Sequence, residues 1–410
     1  MLKDGRYDAI IAGGGFVGKA IALGLGRFAP KGFRIALIDV EAQAAGKNDT
    51  RASALTAASK ALLSTLGVWP ALEAGAQAIS RIEITDSSLG DASRPSLLDF
   101  DNELRSGEPQ AYMIENRDLA AALAAAVEGD QAIGTFSPDS IEDHANGAVQ
   151  VTAKLASGAT IGAPLLIAAD GKRSQTRERA GIKCVAWSYP QVGIVATVSH
   201  SRPHHGLAVQ HFLPAGPFAI LPLKGDRSSI VWTEADAAGV AIMALDEEGF
   251  TAELSRRFGP FLGDIVLAGP RQSFPLDFQI ARSFVAERLA LAGDAAHAVH
   301  PLAGQGLNIG FRDVAALVEV VVEGARLGLD LGAPSLLERY ERWRRFDSAL
   351  SATAMDGLNR LFSNDSAPLR ALREFGLAVV DRSPWLKRAL VQEAAGLSGN
   401  APRLLRGEEL

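Results

Sequence analysis

The stretch that decides the fold is residues 7–27, YDAIIAGGGFVGKAIALGLGR. Tyr7 to Ala12 is short and apolar, which suits a buried parallel strand. Gly13, Gly15 and Gly18 follow as G-x-G-x-x-G. The first glycine allows a tight turn, the second lets a pyrophosphate approach the backbone, and the third lets helix and strand pack closely. The residues beyond Gly15 read as a helix, whose N-terminus offers unpaired N–H groups and partial positive charge to a phosphate. A second strand, FRIALIDV (33–40), ends in Asp39. That acid lies about 20 residues beyond Gly18, where a carboxylate binds an adenosine ribose hydroxyl. A lone glycine motif is weak evidence. With strand, helix and acid in place it predicts a Rossmann-like dinucleotide site, because an empty βαβ turn gives no account of Asp39. No second G-x-G-x-x-G follows a strand, so one such site is expected, for a nicotinamide cofactor or for FAD.

The rest of the composition narrows the setting. A chain of 410 residues is too long for one ordinary core and suggests two or three domains. Apolar residues make up 48% and charged residues 21%, as in a soluble globular protein. The net charge of −6 argues against nucleic acid, whose phosphates call for clustered Lys and Arg. Cys184 is the one cysteine, so no intrachain disulfide forms and no oxidising compartment is required. No signal peptide and no apolar run of about 20 residues stands out. The expectation is a cytoplasmic protein, with peripheral contact at the inner membrane left open.

Two later segments carry more glycine and acid. APLLIAADGKRSQTRERAG (163–181) reads as strand, then Asp170-Gly171, then a polar turn and a helix start. On its own it fits a βα turn capped by Asp170. LALAGDAAHAVHPLAGQGLNIG (289–310) packs Asp294, two histidines, Pro301 and several glycines between an apolar run and a helix. A metal at His297 and His300 is disfavoured, since no nearby Cys or Glu completes a ligand set. His200, His204, His205 and His211 are read as belonging to a hairpin loop and its flanks, so no metal is expected.

Asp170, Gly171, Ser174 and Arg177 match the D-G-x-x-S-x-x-R pattern of the flavoprotein aromatic hydroxylases typified by para-hydroxybenzoate hydroxylase. The 289–310 segment resembles the third motif of that class. The resemblance implies FAD, with Asp170 near its pyrophosphate and near a nicotinamide donor, and Asp294 on its ribityl chain beside Gly293. It also implies a helix beginning near Gln305, with Gly304, Gln305, Gly306 and Asn308 at the cofactor. The positive end of that helix would favour the anionic reduced flavin. Pro301 sits where the class places a proline carbonyl beside the reacting ring.

NDTRASALTAASKALLSTLGVW (48–69), with Arg51, resembles the ubiquinone-biosynthesis branch of the class, as does the 339–377 segment containing LNRLFSN. That branch implies Arg51 near the flavin. It also implies a cofactor contact for Arg117, which could also be a surface charge. The resemblance spans residues 5 to about 397.

The chain is therefore expected to be α/β: a discontinuous Rossmann-like FAD-binding domain (1–75, 105–185 and 275–335), an inserted antiparallel-sheet substrate domain (76–104 and 186–274), and a C-terminal helical region (336–410). Alternation in ISRIEITDSS, YPQVGIVATVSHS, LAVQHFLP, PFAILPLK and RSSIVWTE predicts a sheet with one wet face, roofing the flavin.

The function that the resemblance implies is an FAD-dependent monooxygenase hydroxylating a polyprenylated phenol through a flavin C4a-hydroperoxide. Non-covalent FAD, O2, and NAD(P)H or another reductase would supply the chemistry. No side chain stands out as acid, base or nucleophile. Two alternatives stay open: the same chemistry on a soluble aromatic or secondary metabolite, and a flavin-binding redox or scaffold protein without oxygenation. A lipid-soluble aromatic substrate would be met at a membrane surface or through other quinone-biosynthesis proteins. The apolar and basic residues of 366–391, among them Leu369, Phe375, Trp385, Arg370 and Lys387, suit such a surface or a packing face equally.

Overall fold

The structure is a computed structural model that describes residues 5–41, 49–86, 89, 94, 96–101, 103, 107–298, 305–362, 383, 396 and 401–410. Its centre is a six-stranded sheet in the order Val285–Ala286, Leu289–Leu291, Leu165–Ala168, Ala9–Ala12, Ile35–Ile38, Ile133–Phe136. All pairs are parallel except the outermost, Val285–Ala286 against Leu289–Leu291. The four inner strands are short and fully apolar because both faces are covered. The helices Phe16–Phe28 and Gln305–Arg326 pack in the same core, through Ile21, Leu25, Phe311, Val314 and Leu317.

Chain direction on this sheet fixes where a ligand goes. Strand Ala9–Ala12 has Ile35–Ile38 on one side and Leu165–Ala168 on the other. Connections leave it in opposite directions, so a crevice opens at the carboxyl ends of the strands. Gly13, Asp39, Asp170 and Gly293 each follow one of four adjacent strands at that edge. Backbone bonds hold the edge level: Gly13 N donates to Ile38 O (2.8 Å), Ala169 N to Ala12 O (2.7 Å) and Ala292 N to Ala168 O (2.9 Å).

A nine-stranded sheet forms the second layer. Its main path runs His297–Ala298, Gln272–Ala281, Cys184–His200, Arg227–Ala235, Gly216–Leu223, Leu207–Leu213, Arg81–Asp86, Ser96–Asp101, with Ile265–Leu267 paired to the Cys184–His200 strand. The expectation of a purely antiparallel sheet fails at one place, since Leu207–Leu213 and Arg81–Asp86 pair in parallel. The expectation of a wet face also fails. Helices Asp236–Met243 and Glu247–Phe258 cover one face, where Phe250, Leu254 and Phe258 pack on Ile194, Phe218, Ile230 and Trp232. On the other face Ala208, Leu221 and Leu223 meet Ala52, Ala54, Ala111 and Met113 of the cofactor half. The alternation arises because buried Ser229, Thr233 and Thr197 imitate an exposed polar face.

The stretch 200–206 is no hairpin. The strands it joins are separated in the sheet by Arg227–Ala235 and Gly216–Leu223, so it is a crossover connection. Of the C-terminal region, Pro334–Phe362 is one long helix. Residues 401–410 return to the cofactor half, burying Leu404 and Leu405 in the main core. Between them, residues 366–391 lie outside the described residues apart from Ser383, so the proposed membrane face is not among the structural findings.

Candidate active site

The floor of the site is the crevice at the carboxyl edge of the six-stranded sheet. The three motif glycines do different work there. A Cβ on Gly13 (φ +104°) would lie 2.2 Å from Ala169 O, and one on Gly18 would lie 1.9 Å from Gly13 O, so both keep backbone against backbone. A Cβ on Gly15 would have nothing within 4 Å. Open space at the second glycine, at the N-cap of helix Phe16–Phe28, is what a pyrophosphate cradle requires.

Three acids border the crevice. Asp39 lies 3.4 Å from Lys19 Nζ and accepts the Glu41 N–H at 3.1 Å. Lys19 also donates to Gly14 O, which fixes it against the loop. Asp170 accepts the Thr176 N–H at 3.1 Å through Oδ2, while Ser174 caps helix Gln175–Arg179 by accepting the Arg177 N–H at 2.9 Å. Asp170 Oδ1 is buried and has no hydrogen-bond partner among the described residues. A buried acceptor left unpaired is costly, and a bound polar ligand would relieve it.

The ribityl role that the resemblance implies puts Asp294 deep in the fold and Asp39 nearer solvent, but Asp294 is exposed and the Asp39 side chain is only 16% exposed. Asp294 nevertheless stands among enough protein for burial to push its carboxyl above the usual carboxylate range, against the pull of His297, Lys172 and Arg51. Both observations hold for a group on the floor of a deep cleft. Gly293, at φ +61°, turns the chain so that the next side chain enters that cleft.

Arg51 faces the same space. It makes a two-pronged ion pair with Asp49, 2.8 Å from Nε and 2.7 Å from Nη2. The Asp49 bond raises its pKa first, and the field of Asp294 raises it further. Asn116 Nδ2 donates to Asp49 at 3.1 Å, and Ser53 Oγ donates to Asn116 Oδ1 at 2.7 Å, so Arg51 is held at its base. Arg117 is half exposed and ion-paired with Glu115 at 2.6 Å. Helix Gln305–Arg326 starts where the sequence places it. The Asn308 side chain is spent inside the protein: it accepts the Thr56 N–H (3.0 Å) and the Ser59 hydroxyl (2.7 Å) and donates to Ala54 O (2.7 Å). Asn308 therefore meets a cofactor only through its backbone. Gly306 is described, and a Cβ there would have nothing within 4 Å. Pro301 and Gly304 lie outside the described residues, as does the side chain of Gln305.

Arg177 was read only as part of its motif, and Lys172, Asp277 and Asp313 escaped the sequence reading. Arg177 is buried, and its Nη1 donates to Lys172 O (3.1 Å) and Ala295 O (3.0 Å), tying the Asp-Gly turn to the Gly-Asp turn. Lys172 pairs with Asp277 of the second sheet. Asp313, fully buried, accepts from Gly293 N (2.9 Å), His297 Nε2 (2.6 Å) and Arg344 Nε (2.8 Å). An acid at a core-facing position of an apolar helix was the signal available for Asp313. The other histidines serve the fold: His200 meets Arg202 O and Ser228 Oγ, and His204 meets Leu223 O at 2.7 Å. Thr85 Oγ1 lies 2.7 Å from His211 Nδ1, and burial lowers the His211 pKa to about 4.

The second sheet supplies the ceiling. Register puts Gly193, Val195, Val231, Ala219 and Leu221 on the face opposite the helices. Phe274, opposite Gly193, is 38% exposed and lies 5.3 Å from the Arg51 guanidinium. Val195, Leu221 and Val231 are only partly buried and share this face with buried Thr197, Ser229 and Thr233, so it is a mainly apolar surface above the cofactor motifs.

A dinucleotide site at a sheet switch point, roofed by an apolar sheet, defines a flavoprotein fold of the FAD-dependent monooxygenase kind. The open second glycine, the unpaired Asp170 Oδ1 and the cleft-floor Asp294 fit FAD. The chain matches the FAD binding domain family over residues 6–350. It is 44% identical to the ubiquinone hydroxylase UbiL of Rhodospirillum rubrum over 409 residues, covering 98% of this chain and 93% of that protein. It is 36% identical to the 3-demethoxyubiquinol 3-hydroxylase of Escherichia coli over 398 residues, 95% of this chain and 98% of the relative. Among solved structures, p-nitrophenol 4-monooxygenase from Pseudomonas putida shares the fold, with a TM-score of 0.80 at 18% identity, over 96% of this chain and 99% of that one. The chain belongs to the FAD-dependent hydroxylase family of ubiquinone biosynthesis.

Proposed function

We propose that this chain hydroxylates the aromatic ring of a polyprenylated phenol or quinol, using non-covalent FAD, O2 and electrons from NAD(P)H or a reductase. The observation that carries the substrate class is the apolar ceiling of Val195, Leu221, Val231 and Phe274 facing the cofactor cleft. A soluble, charged aromatic would find there only Arg51, already paired with Asp49, for its ionised group.

In this reading, residues 1–75, 105–185 and 275–335 hold the cofactor, and 76–104 with 186–274 roof the substrate. Gly13, Gly15 and Gly18 with Asp39 take the adenosine diphosphate part. Asp170 takes a polar group near the pyrophosphate, and Asp294 takes the ribityl hydroxyls. Arg51 and the N-terminal end of helix Gln305–Arg326 place positive charge where the reduced ring is anionic. When bound, FAD supplies the electron transfer to O2 that no side chain provides. The chain's own contribution is to bind, orient and keep water out, which the ceiling does. Arg117 borders the cofactor, and the backbone at Gln305, Gly306 and Asn308 lines the reacting side. Among the described residues no helix is long and apolar enough to cross a membrane. Substrate is then taken at a peripheral membrane surface, through residues 366–391, or from a partner protein.

The deciding test is turnover of a prenylated phenol by the FAD-loaded protein with NADH and 18O-labelled O2. One labelled oxygen in the ring supports the proposal. Peroxide without ring oxygen indicates a flavoprotein without oxygenation, and equal turnover of a soluble phenol indicates the broader substrate reading. Acid precipitation is expected to leave the yellow colour in the supernatant, and colour in the pellet would refute non-covalent binding. For the membrane contact, Arg370→Glu with Lys387→Glu in the full chain replaces a truncation near residue 365, because truncation would also remove the core residues Leu404 and Leu405. Loss of sedimentation with anionic vesicles is expected.

A further inference from the structure

The cofactor turn Gly293–Asp294 is gripped from behind by the long helix Pro334–Phe362. Three residues on one turn of that helix do it. Tyr340 Oη donates to Leu291 O at 2.7 Å, at the end of the strand that leads into the turn. Glu341 Oε1 accepts the Phe284 N–H (2.8 Å) and the Ser283 hydroxyl (2.7 Å), at the start of the same strand pair. Arg344 reaches Asp313, whose carboxylate holds the Gly293 N–H. Tyr340 and Arg344 stand four residues apart, so they share one helix face.

Asp313 is the link with the most at stake. Its side chain is wholly buried, and so is the Arg344 guanidinium at 3% exposure. Burying a carboxylate without compensation is costly, and removing one partner of a buried pair strands the other charge. Burial alone would raise the Asp313 pKa, yet His297 and Arg344 together hold it below the usual range. The ionised form gives Gly293 a charge-assisted acceptor, about twice as strong as a neutral one. That bond fixes the left-handed turn at Gly293, φ +61°, which sets where Asp294 points.

We propose that Asp313 is a positioning residue for the cofactor turn, and that Arg344, by neutralising it, makes FAD retention depend on the docking of the long C-terminal helix. The proposal rests on assigning the Gly293–Asp294 turn to FAD. Neither Asp313 nor Arg344 needs to touch the cofactor for this. An event that shifts the long helix would loosen FAD at a distance.

The test measures FAD Kd and apoprotein melting midpoint together. Asp294→Ala is the reference for the assignment itself: if it leaves FAD binding unchanged, the turn is not a cofactor turn. Arg288→Lys is the control, since Arg288 is also a buried arginine, ion-paired with the half-exposed Asp330, and its other bonds go to Gly147, Ala148 and Pro164. Arg344→Met is expected to raise the FAD Kd about tenfold, the factor for ~1.4 kcal/mol. Arg344→Lys, which keeps the charge, is expected to recover most of that loss. The control is expected to lower the melting midpoint without changing the Kd. A Kd within about twofold of wild type in Arg344→Met, or an equal rise in Arg288→Lys, overturns the proposal. If Arg344→Met does not accumulate folded, Tyr340→Phe decides: it removes one hydroxyl and no charge. A raised Kd there supports dependence on the helix, and an unchanged Kd overturns it.

Discussion

The guanidinium of Arg51 lies 5.3 Å over the ring of Phe274, and so joins the floor of the cofactor cleft to the ceiling of the second sheet. The two residues are far apart in sequence, Arg51 just before the strand Ala52–Thr56 and Phe274 within the strand Gln272–Ala281 of the second sheet. A cation over an aromatic face is worth about 0.5–1 kcal/mol at an exposed site. Phe274→Ala is therefore expected to raise KM for the aromatic substrate severalfold while leaving the FAD Kd within about twofold. Arg51→Ala, which also releases Asp49, is expected to weaken both. Steady-state kinetics beside FAD titration separates the two outcomes, and a Phe274→Ala protein that loses FAD contradicts the assignment of Phe274 to the substrate side.

Asp294 and Asp39 are expected to contribute unequally to FAD binding. Asp39 already shares its carboxylate with Lys19 and the Glu41 N–H. Asp294 makes no protein hydrogen bond among the described residues, so its oxygens are open to a ligand. Asp294→Ala is expected to weaken FAD by about 1–3 kcal/mol, and more than Asp39→Ala does. Equal losses of occupancy in the two variants would count against the ribityl role.

The raised pKa of Asp294 gives a second handle on that residue. With a folded value above the unfolded one, its favourable contribution is present at low pH and is lost as pH rises through the folded value. Wherever it is ionised, the acid is a burden on the apoprotein. Asp294→Asn is expected to raise the apoprotein melting temperature by about 1–3 °C at pH 7, while FAD binds more weakly. A lowered melting temperature at pH 7 would mean that Asp294 serves the fold.

Asp313 has the opposite sign. Its folded pKa lies below the unfolded value, so its contribution is present at neutral pH and lost as pH falls from about 4 through the folded value. Acid unfolding of the apoprotein followed by circular dichroism is expected to steepen below about pH 4. In Arg344→Met, where the Asp313 pKa is no longer held down, the loss is expected to begin at higher pH. Superimposable acid transitions in the two proteins would sink this account.

Leu404 tests the return of residues 401–410 to the cofactor half. It is fully buried, and next to it the Arg403 N–H donates to Glu319 at 2.8 Å. Leu404→Ala is expected to cost about 2–5 kcal/mol by chemical denaturation. A change below about 1 kcal/mol would show that this segment rests on the core without being part of it.

What the sequence determined by itself was local. A glycine turn needs only its neighbours, so G-x-G-x-x-G and Asp39 could be read from the covalent order, because strand, turn and helix follow each other directly. The apolar strands were legible for the same reason, and the Gly293–Asp294 turn through its resemblance. The tertiary structure decided everything that depends on which strands become neighbours. Alternation suggested a wet face in the second sheet, but buried Ser229 and Thr233 carry the same pattern as surface residues, and only packing separates the two. Connection order made the 200–206 stretch look like a hairpin, although sheet pairing places two strands between its ends. The ribityl role put Asp294 deep in the fold, and the cleft that exposes it exists only once both sheets are in place. The grip of Tyr340, Glu341 and Arg344 on a turn about 50 residues earlier had no signature at all. A single side chain reaching across a fold leaves no period in the sequence, and its energy comes from a dry surrounding that many distant residues build together.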